Sequence, residues 1–275
     1  MPLTQFVCPD GQKINIDACL KSCRMHRRCT SKPILKAIVY GEREWTGVPS
    51  VTMLLKGTYE TFLELTTDYA IVPDERVYNI LGGAIHDRLS EEPNDVYDFS
   101  LSEHKLITDD FTGTIDYLIT ENGKTILYDF KVSGSYKIMK ALGIVKIGKG
   151  AESKFERDPA KADMFDWVMQ LNGYRILLKK VEGIIVNEMY IQAIVRDGGI
   201  QAAINRGISE KTLLIEIPFL DDELVNEYFH KKIADLNQAL LHDDFFKCTD
   251  SETWGGRKCE SFCSVRDNCK YNVKR

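Results

Sequence analysis

Asp116, Asp129 and Lys131 are spaced as D-x12-D-x-K. Two carboxylates supply the oxygen ligands that Mg²⁺ or Mn²⁺ prefers. A lysine beside them can position a water or stabilise a pentacovalent phosphorus transition state. Together these are the parts of metal-dependent phosphodiester hydrolysis, in which the ion polarises the phosphate and lowers the pKa of a bound water.

A second chemistry is written in the cysteines. Cys8, Cys19, Cys23 and Cys29 are separated by ten, three and five residues, and Cys248, Cys259, Cys263 and Cys269 repeat the same gaps. Each set has the four thiolates that close a tetrahedral structural zinc site, and a [4Fe-4S] cluster also takes four thiolates. Zn²⁺ is the first expectation because each set is self-contained, although a three-residue gap stands where paired zinc ligands more often have two.

The elements that position the acids follow from pattern. Thr112–Thr120 and Thr125–Val132 alternate, and they flank Asn122-Gly123, the strongest short signal for a two-residue hairpin turn. With that turn, cross-strand partners have numbers summing to 245, so Asp116 falls opposite Asp129 and Thr114 opposite Lys131. Asp116, Asp129 and Lys131 then share one face, and Ile115, Tyr117, Ile119, Ile126, Tyr128 and Phe130 share the other, which is the expected core face. Like charges directly opposite destabilise a hairpin unless something neutralises them, and a divalent metal does so.

Around the hairpin, periodicity predicts a short helix over Pro33–Tyr40, a helix capped by Ser50 and running to about Tyr69, and a helix from Pro73 to about Glu91 that carries His86 beside Gly82 and Gly83. Paired glycines let another backbone or a ligand approach closely. Glu92-Pro93-Asn94-Asp95 reads as a turn before a strand over about 97–106, with Glu103 near its end as an accessory acid that no motif fixes. Ser133–Pro159 reads as a mobile or substrate-contacting segment. A helix over Asp163 to about Lys180 places Gln170 and Tyr174 on one face. Strands over Glu188–Val195 and Thr212–Ile217 and a long helix over Asp221–His242 lead to the second cysteine set.

At 275 residues, 44% hydrophobic and 28% charged, the chain suits one sizeable folded domain with appendages. No apolar run approaches the ~18 residues a membrane span needs, so no membrane partner is expected. The net charge of −5 divides into +5 over residues 1–40, +3 over 247–275 and −13 between them. Basic ends on an acidic body suit a polyanion held by the ends, with an ordinary solvated charge pattern as the alternative.

GTID (Gly113–Asp116) followed by YDFKVS (Tyr128–Ser133) resembles the paired motifs of the PD-(D/E)xK nuclease superfamily. GAIH (Gly83–His86) and QLNGY (Gln170–Tyr174) resemble the upstream histidine and downstream Q-x3-Y motifs of its RecB-like exonuclease branch, in the expected order. The layout also looks like phage or prophage members. The resemblance implies Asp116 and Asp129 as metal ligands, Lys131 as the catalytic lysine, His86 as a further ligand, and Gln170 and Tyr174 on the DNA-facing side. Several members carry an iron–sulfur cluster from one upstream and three downstream cysteines. Four cysteines at each end depart from that arrangement.

The expected fold is α/β, a restriction-endonuclease-like core with a central mixed sheet flanked by helices. It would span residues 41–246, with cysteine-rich metal modules over 1–40 and 247–275. The expected function is a Mg²⁺- or Mn²⁺-dependent deoxyribonuclease, an exonuclease acting in recombination, repair or phage DNA metabolism beside a helicase or single-strand annealing protein. The alternative is a non-catalytic DNA-binding or scaffold protein on a nuclease-like core. The N-terminal MPLTQFVCPDGQK lacks a basic region followed by an apolar stretch, so it does not read as a signal peptide. The expected location is the cytoplasm, or the host cytoplasm for a phage protein.

Overall fold

Asn122 and Gly123 both take positive φ, 52° and 75°, as a type I′ turn requires of its two central residues. That turn organises the computed structural model, which describes residues 3–39, 45–91, 97–148, 153–242 and 247–272. The strands it joins pair antiparallel from Glu121↔Lys124 to Tyr117↔Tyr128, the expected register.

The chain begins with β1 (Leu3–Val7), β2 (Lys13–Asn15), α1 (Ile16–Lys21), α2 (Lys32–Val39), α3 (Val51–Leu54), α4 (Thr58–Thr66), β3 (Tyr69–Ile71) and α5 (Pro73–Ser90). Next come β4 (Phe99–Ile107), β5 (Thr112–Glu121), β6 (Lys124–Ser133), α6 (Ser135–Ala141), β7 (Ile144–Ile147), β8 (Lys154–Arg157) and α7 (Phe165–Val181). It closes with β9 (Glu188–Val195), α8 (Gln201–Ile204), β10 (Thr212–Glu216), α9 (Asp222–His242) and α10 (Arg257–Ser261). Among the described residues no helix is long and apolar enough to cross a membrane.

Two compact units form. The first comprises Met1–Leu81, Asp109–Phe111 and Asn226–Arg275, and the second Gly82–Thr108 and Thr112–Val225. These units differ from the sequence division at residues 40 and 247, because both cysteine-rich ends fall in the first unit. There β1 lies between β2 and β3, antiparallel to one and parallel to the other. Phe6, Cys19, Leu35, Tyr59, Leu63 and Val265 are buried in one apolar core, which draws residues from both ends of the chain.

The second unit is built on a five-stranded mixed sheet in the order β10-β9-β6-β5-β4. Its one parallel pair, β6 with β9, needs a long crossover connection, and α7 lies in that connection and packs across β4, β5 and β6. The protein is thus mixed α/β, with a central mixed sheet flanked by helices.

The alternation in the hairpin misassigns its core. On β5, Ile115 to Ile119 are all buried whichever way they point, because β5 is an interior strand. On β6 the most buried residues are Leu127 and Asp129, on the carboxylate face, whereas Ile126, Tyr128 and Phe130 are half-buried. Interior strands of a sheet covered on both faces lose the polar/apolar alternation of a half-exposed one.

Three further expectations change. The helix predicted from Ser50 to Tyr69 is two helices, α3 and α4, with Gly57 as the N-cap of the second. A side chain at Gly57 would collide with the Cys248 sulfur, so the break lets the second cysteine set approach. The segment Ser133–Pro159, expected to be mobile or substrate-contacting, has regular structure over its described residues, with α6 and the antiparallel strands β7 and β8. Gly143, at φ 66°, makes this possible because its missing Cβ admits the backbone of Asp158. Among the described residues nothing lies within 4 Å of a Cβ built at Gly82 or Gly83, so those glycines face open space. The predicted turn at 92–95 lies outside the described residues.

Gly113 lies close under α7: a Cβ there would sit 2.9 Å from the Tyr174 ring and from Leu177. Gly113→Ala is therefore expected to destabilise the protein by about 1–3 kcal/mol through overpacking, read as a lower urea midpoint. An unchanged midpoint would refute this close approach.

Candidate active site

Asp116 sits where two strand ladders fail together. Pairing between β5 and β6 stops at Tyr117↔Tyr128, one step before Asp116, and the Phe130 amide donates instead to Asp116 Oδ2 at 2.7 Å. On the other side, β4 pairs with β5 at Ser102↔Tyr117 and His104↔Ile115 but not between them. The residue skipped is Glu103, whose φ is 46°. A non-glycine residue in that region costs on the order of 1–3 kcal/mol and persists only when its surroundings hold it there.

The two interruptions bring the acids together with the helix before them. His86, on α5, meets Glu103 through Nδ1 at 2.8 Å, and the same nitrogen lies 3.5 Å from Asp116 Oδ1. Among the described residues, the His/Cys/Asp/Glu set whose ligand atoms all lie within 4.8 Å of one another is His86, Glu103 and Asp116. Two carboxylates and an imidazole suit a small divalent cation of the Mg²⁺ or Mn²⁺ kind, with Mn²⁺ the more tolerant of nitrogen.

Asp129 stands outside this tight set. It is fully buried at 0% exposure, with Lys131 Nζ 2.5 Å from Oδ2 and Gln170 Nε2 donating to Oδ1 at 2.8 Å. Both Asp129 oxygens are therefore met, Oδ2 by the Lys131 ammonium and Oδ1 by Gln170. Gln170 also donates to the Tyr174 hydroxyl at 3.1 Å. Both residues, expected on the DNA-facing side, are buried, with 6% and 4% exposure. Gln170 therefore meets Asp129, and Tyr174 meets Gln170, among buried side chains.

Burial pushes the Asp116 carboxyl up to about 7, and repulsion from Asp129 adds to it, against the opposing pull of Lys131, His86 and the Phe130 amide. The hydrogen bond that the imidazolium donates to the Glu103 carboxylate raises the His86 pKa against its own burial, with Asp116 and Asp129 contributing. Burial alone would lower Lys131, but the attraction of Asp129 and Asp116 outweighs it and holds the ammonium above its ordinary value. Lys131 is thus a standing cation and not a base at neutral pH, with 26% of its side chain exposed.

The cysteine sets are gathered less tightly. Each lines a single cavity, Cys8, Cys19, Cys23 and Cys29 one and Cys248, Cys259, Cys263 and Cys269 another. Burial raises the Cys19, Cys248 and Cys259 thiols. It takes Cys263 up to about 12, with the Glu60 carboxylate adding to the shift.

No family model matches the chain, and no curated protein matches it. Among solved structures it is similar to SSO0001, with a TM-score of 0.48 and 15% identity over 88% of this chain and 96% of that one. It is also similar to a protein from Eubacterium rectale named as a candidate exonuclease, with a TM-score of 0.32 and 11% identity over 84% of this chain and 79% of that one. The reading of the site rests on its own geometry.

That geometry makes metal-free stability depend on pH. Asp116 keeps a proton up to about 7 in the folded protein but loses it near 3.8 when unfolded. Between those values the folded state binds more protons, so stability falls as pH rises, by up to about 1.4 kcal/mol per unit. His86, raised above its ordinary 6.5, contributes stability that is full below that value and is lost as pH rises through its folded pKa, which continues the fall. Asp116→Asn should flatten the decline between about pH 4.5 and 6.5 in urea titrations of chelator-treated protein. An equal slope in both proteins would refute the raised Asp116 pKa.

Proposed function

We propose that the protein is a Mg²⁺- or Mn²⁺-dependent deoxyribonuclease of the PD-(D/E)xK kind, acting as an exonuclease. The observation that carries the reading is the convergence of His86, Glu103 and Asp116 within 4.8 Å, with Asp129 and the charged Lys131 alongside. The four motif segments come from separate parts of the chain, and His86, Asp116, Asp129, Lys131, Gln170 and Tyr174 are linked by contacts within one unit.

The residues divide the work. His86 Nδ1 and one oxygen each of Glu103 and Asp116 would hold a divalent ion, with Asp129 paired to Lys131 alongside. When bound, that ion would neutralise phosphate charge and lower the pKa of a water. Lys131 keeps its proton, so its ammonium can hydrogen-bond a phosphate oxygen as negative charge builds there in the transition state. Gln170 fixes Asp129 through the 2.8 Å hydrogen bond, and Tyr174 fixes Gln170. Glu103 adds a carboxylate that the motifs do not mark, and its strained backbone is the kind of feature that collects at active sites.

The basic termini, +5 over residues 1–40 and +3 over 247–275, support a polyanionic substrate. A recombination or repair setting, with a helicase or annealing protein as partner and the cytoplasm as location, belongs to the same reading. A non-catalytic DNA-binding platform is the competing one. Retention of two acids in mutual repulsion argues against it, since a scaffold has no use for that cost.

Asp116→Ala, Asp129→Ala and Lys131→Ala should each abolish metal-dependent degradation of end-labelled linear DNA. Gln170→Ala, acting only through Asp129, should leave activity reduced by about 10–100-fold. A closed circular substrate distinguishes exonuclease from endonuclease action. Full activity in purified Asp116→Ala, with contaminating nuclease removed, would end the catalytic assignment.

A further inference from the structure

We propose that the two cysteine quartets are two independent tetrathiolate metal centres, one at each end of the chain, and that both brace the same apolar core. This stands apart from the nuclease reading and uses no residue of the candidate active site.

The argument begins with duplicated local structure. In the first quartet, α1 carries Cys19, and Cys23 follows two residues after its last residue, Lys21. In the second, α10 carries Cys259, and Cys263 follows two residues after its last residue, Ser261. In both copies the third cysteine follows the cap residue of the short helix, extended at Ser22 and helical at Phe262, and it lines the same cavity as the second. A tight turn then delivers the fourth. Residues just before Cys29 include His26 at φ 56°, and a single 3-10 turn, Arg266–Asn268, directly precedes Cys269. The first cysteine of each set comes from a separate turn: Cys8 is closed by a hydrogen bond from its amide to the Gln12 carbonyl at 2.8 Å, and Cys248 lies against Gly57.

The cavities are separate as well. Cys8, Cys19, Cys23 and Cys29 line one, together with Arg24 and Arg28. Cys248, Cys259, Cys263 and Cys269 line the other, together with Lys258. Neither cavity borrows a cysteine from the other set, which separates this arrangement from a single centre shared between the chain ends. All eight cysteines are free. Four thiolates around a divalent ion leave a net charge of about −2; arginines line the first cavity, whereas at the second Lys258 is paired with Glu60, another lining residue. Arg28 is fixed there by donating to the Cys19 carbonyl at 3.0 Å.

Each centre is tied to the shared core. Cys19 is buried within it beside Phe6 and Leu35, and Val265, two residues after Cys263, is fully buried in the same cluster, with Cys248, Cys263 and Cys269 packed against it. Lys13 and Asp267 form a salt bridge between the two modules at 3.2 Å. The occupant is a thiophilic centre, either a mononuclear zinc ion or an iron–sulfur cluster, and metal analysis separates the two.

The test uses the full-length protein purified without oxygen. Elemental analysis should return either two zinc ions per chain or about eight irons with matching sulfide and visible absorption; both outcomes support two centres and identify the occupant. In the folded protein all eight thiols should resist alkylation and become reactive after a strong chelator, counted by intact mass. Cys263→Ser should remove about half of the metal and leave the first quartet protected. One zinc or four irons per chain, four thiols reactive in the untreated protein, or complete metal loss from Cys263→Ser that keeps the circular dichroism of the parent would overturn the proposal in favour of a single centre. Absence of metal with eight reactive thiols would overturn it outright. The alkylation count on the unmutated chain keeps the test decisive even if the variant fails to fold.

Discussion

Two buried carboxylates that repel one another are the constraint on which the second unit depends. Asp129 is fully buried and Asp116 nearly so, and such a pair is costly unless each oxygen is met. The surrounding fold answers by position. The Phe130 amide turns to Asp116 where the ladder would otherwise continue, Gln170 reaches Asp129 from α7, and Lys131 lies directly beside it. Gly113 then becomes intelligible as a packing requirement: α7 must lie close against β5 for Gln170 to reach the acid, and a side chain at residue 113 would push it away.

Much of this was legible in the sequence. The Asn122-Gly123 turn fixed the hairpin register through five pairs, because turn geometry and loop length decide register locally. It did not reveal where pairing would end. Past Tyr128, β6 continues beside β9, and the hairpin opens at the acids. A periodicity argument sees one hairpin; it does not see that β6 also pairs along its other edge with β9, from Ile126 to Ser133, and so stays in the sheet where its pairing with β5 stops. The same blindness inverted the core face. Tyr128 and Phe130 looked like core because they are aromatic and alternate, yet the helix covers the face with Leu127 and Asp129. Glu103 was the hardest to find, since its importance comes from sitting opposite Asp116 in a register that only the folded sheet defines.

The cysteines show the opposite balance. Their spacing stated a duplication outright, and two short helices with matching cysteine positions are what that spacing builds. What spacing could not state is that the N- and C-terminal copies fall within one unit and one apolar cluster. The sequence division into an end module, a core and a second end module treats the ends as appendages. Packing makes them parts of one body, in which Phe6 from the first strand and Val265 from the last turn are buried together.

Electrostatics gives the candidate active site its direction. Desolvation lifts Asp116 toward neutrality, so in the absence of metal the proton does part of the work of keeping the acids apart. A divalent ion offers a stronger form of the same compensation, and binding it must release whatever protons the ligands hold. Lys131 cannot substitute, because it is already committed to Asp129 and a single ammonium cannot neutralise two carboxylates and Glu103 together. Glu103 sharpens the point. A fold optimised only for stability would relax the residue into the ladder between Ser102 and His104. Instead the chain holds it in a strained conformation that sets a third carboxylate, itself open to solvent, beside His86 and Asp116. A carboxylate held there at the expense of backbone strain is hard to explain by packing, and it follows directly if the site exists to bind a cation beside Lys131.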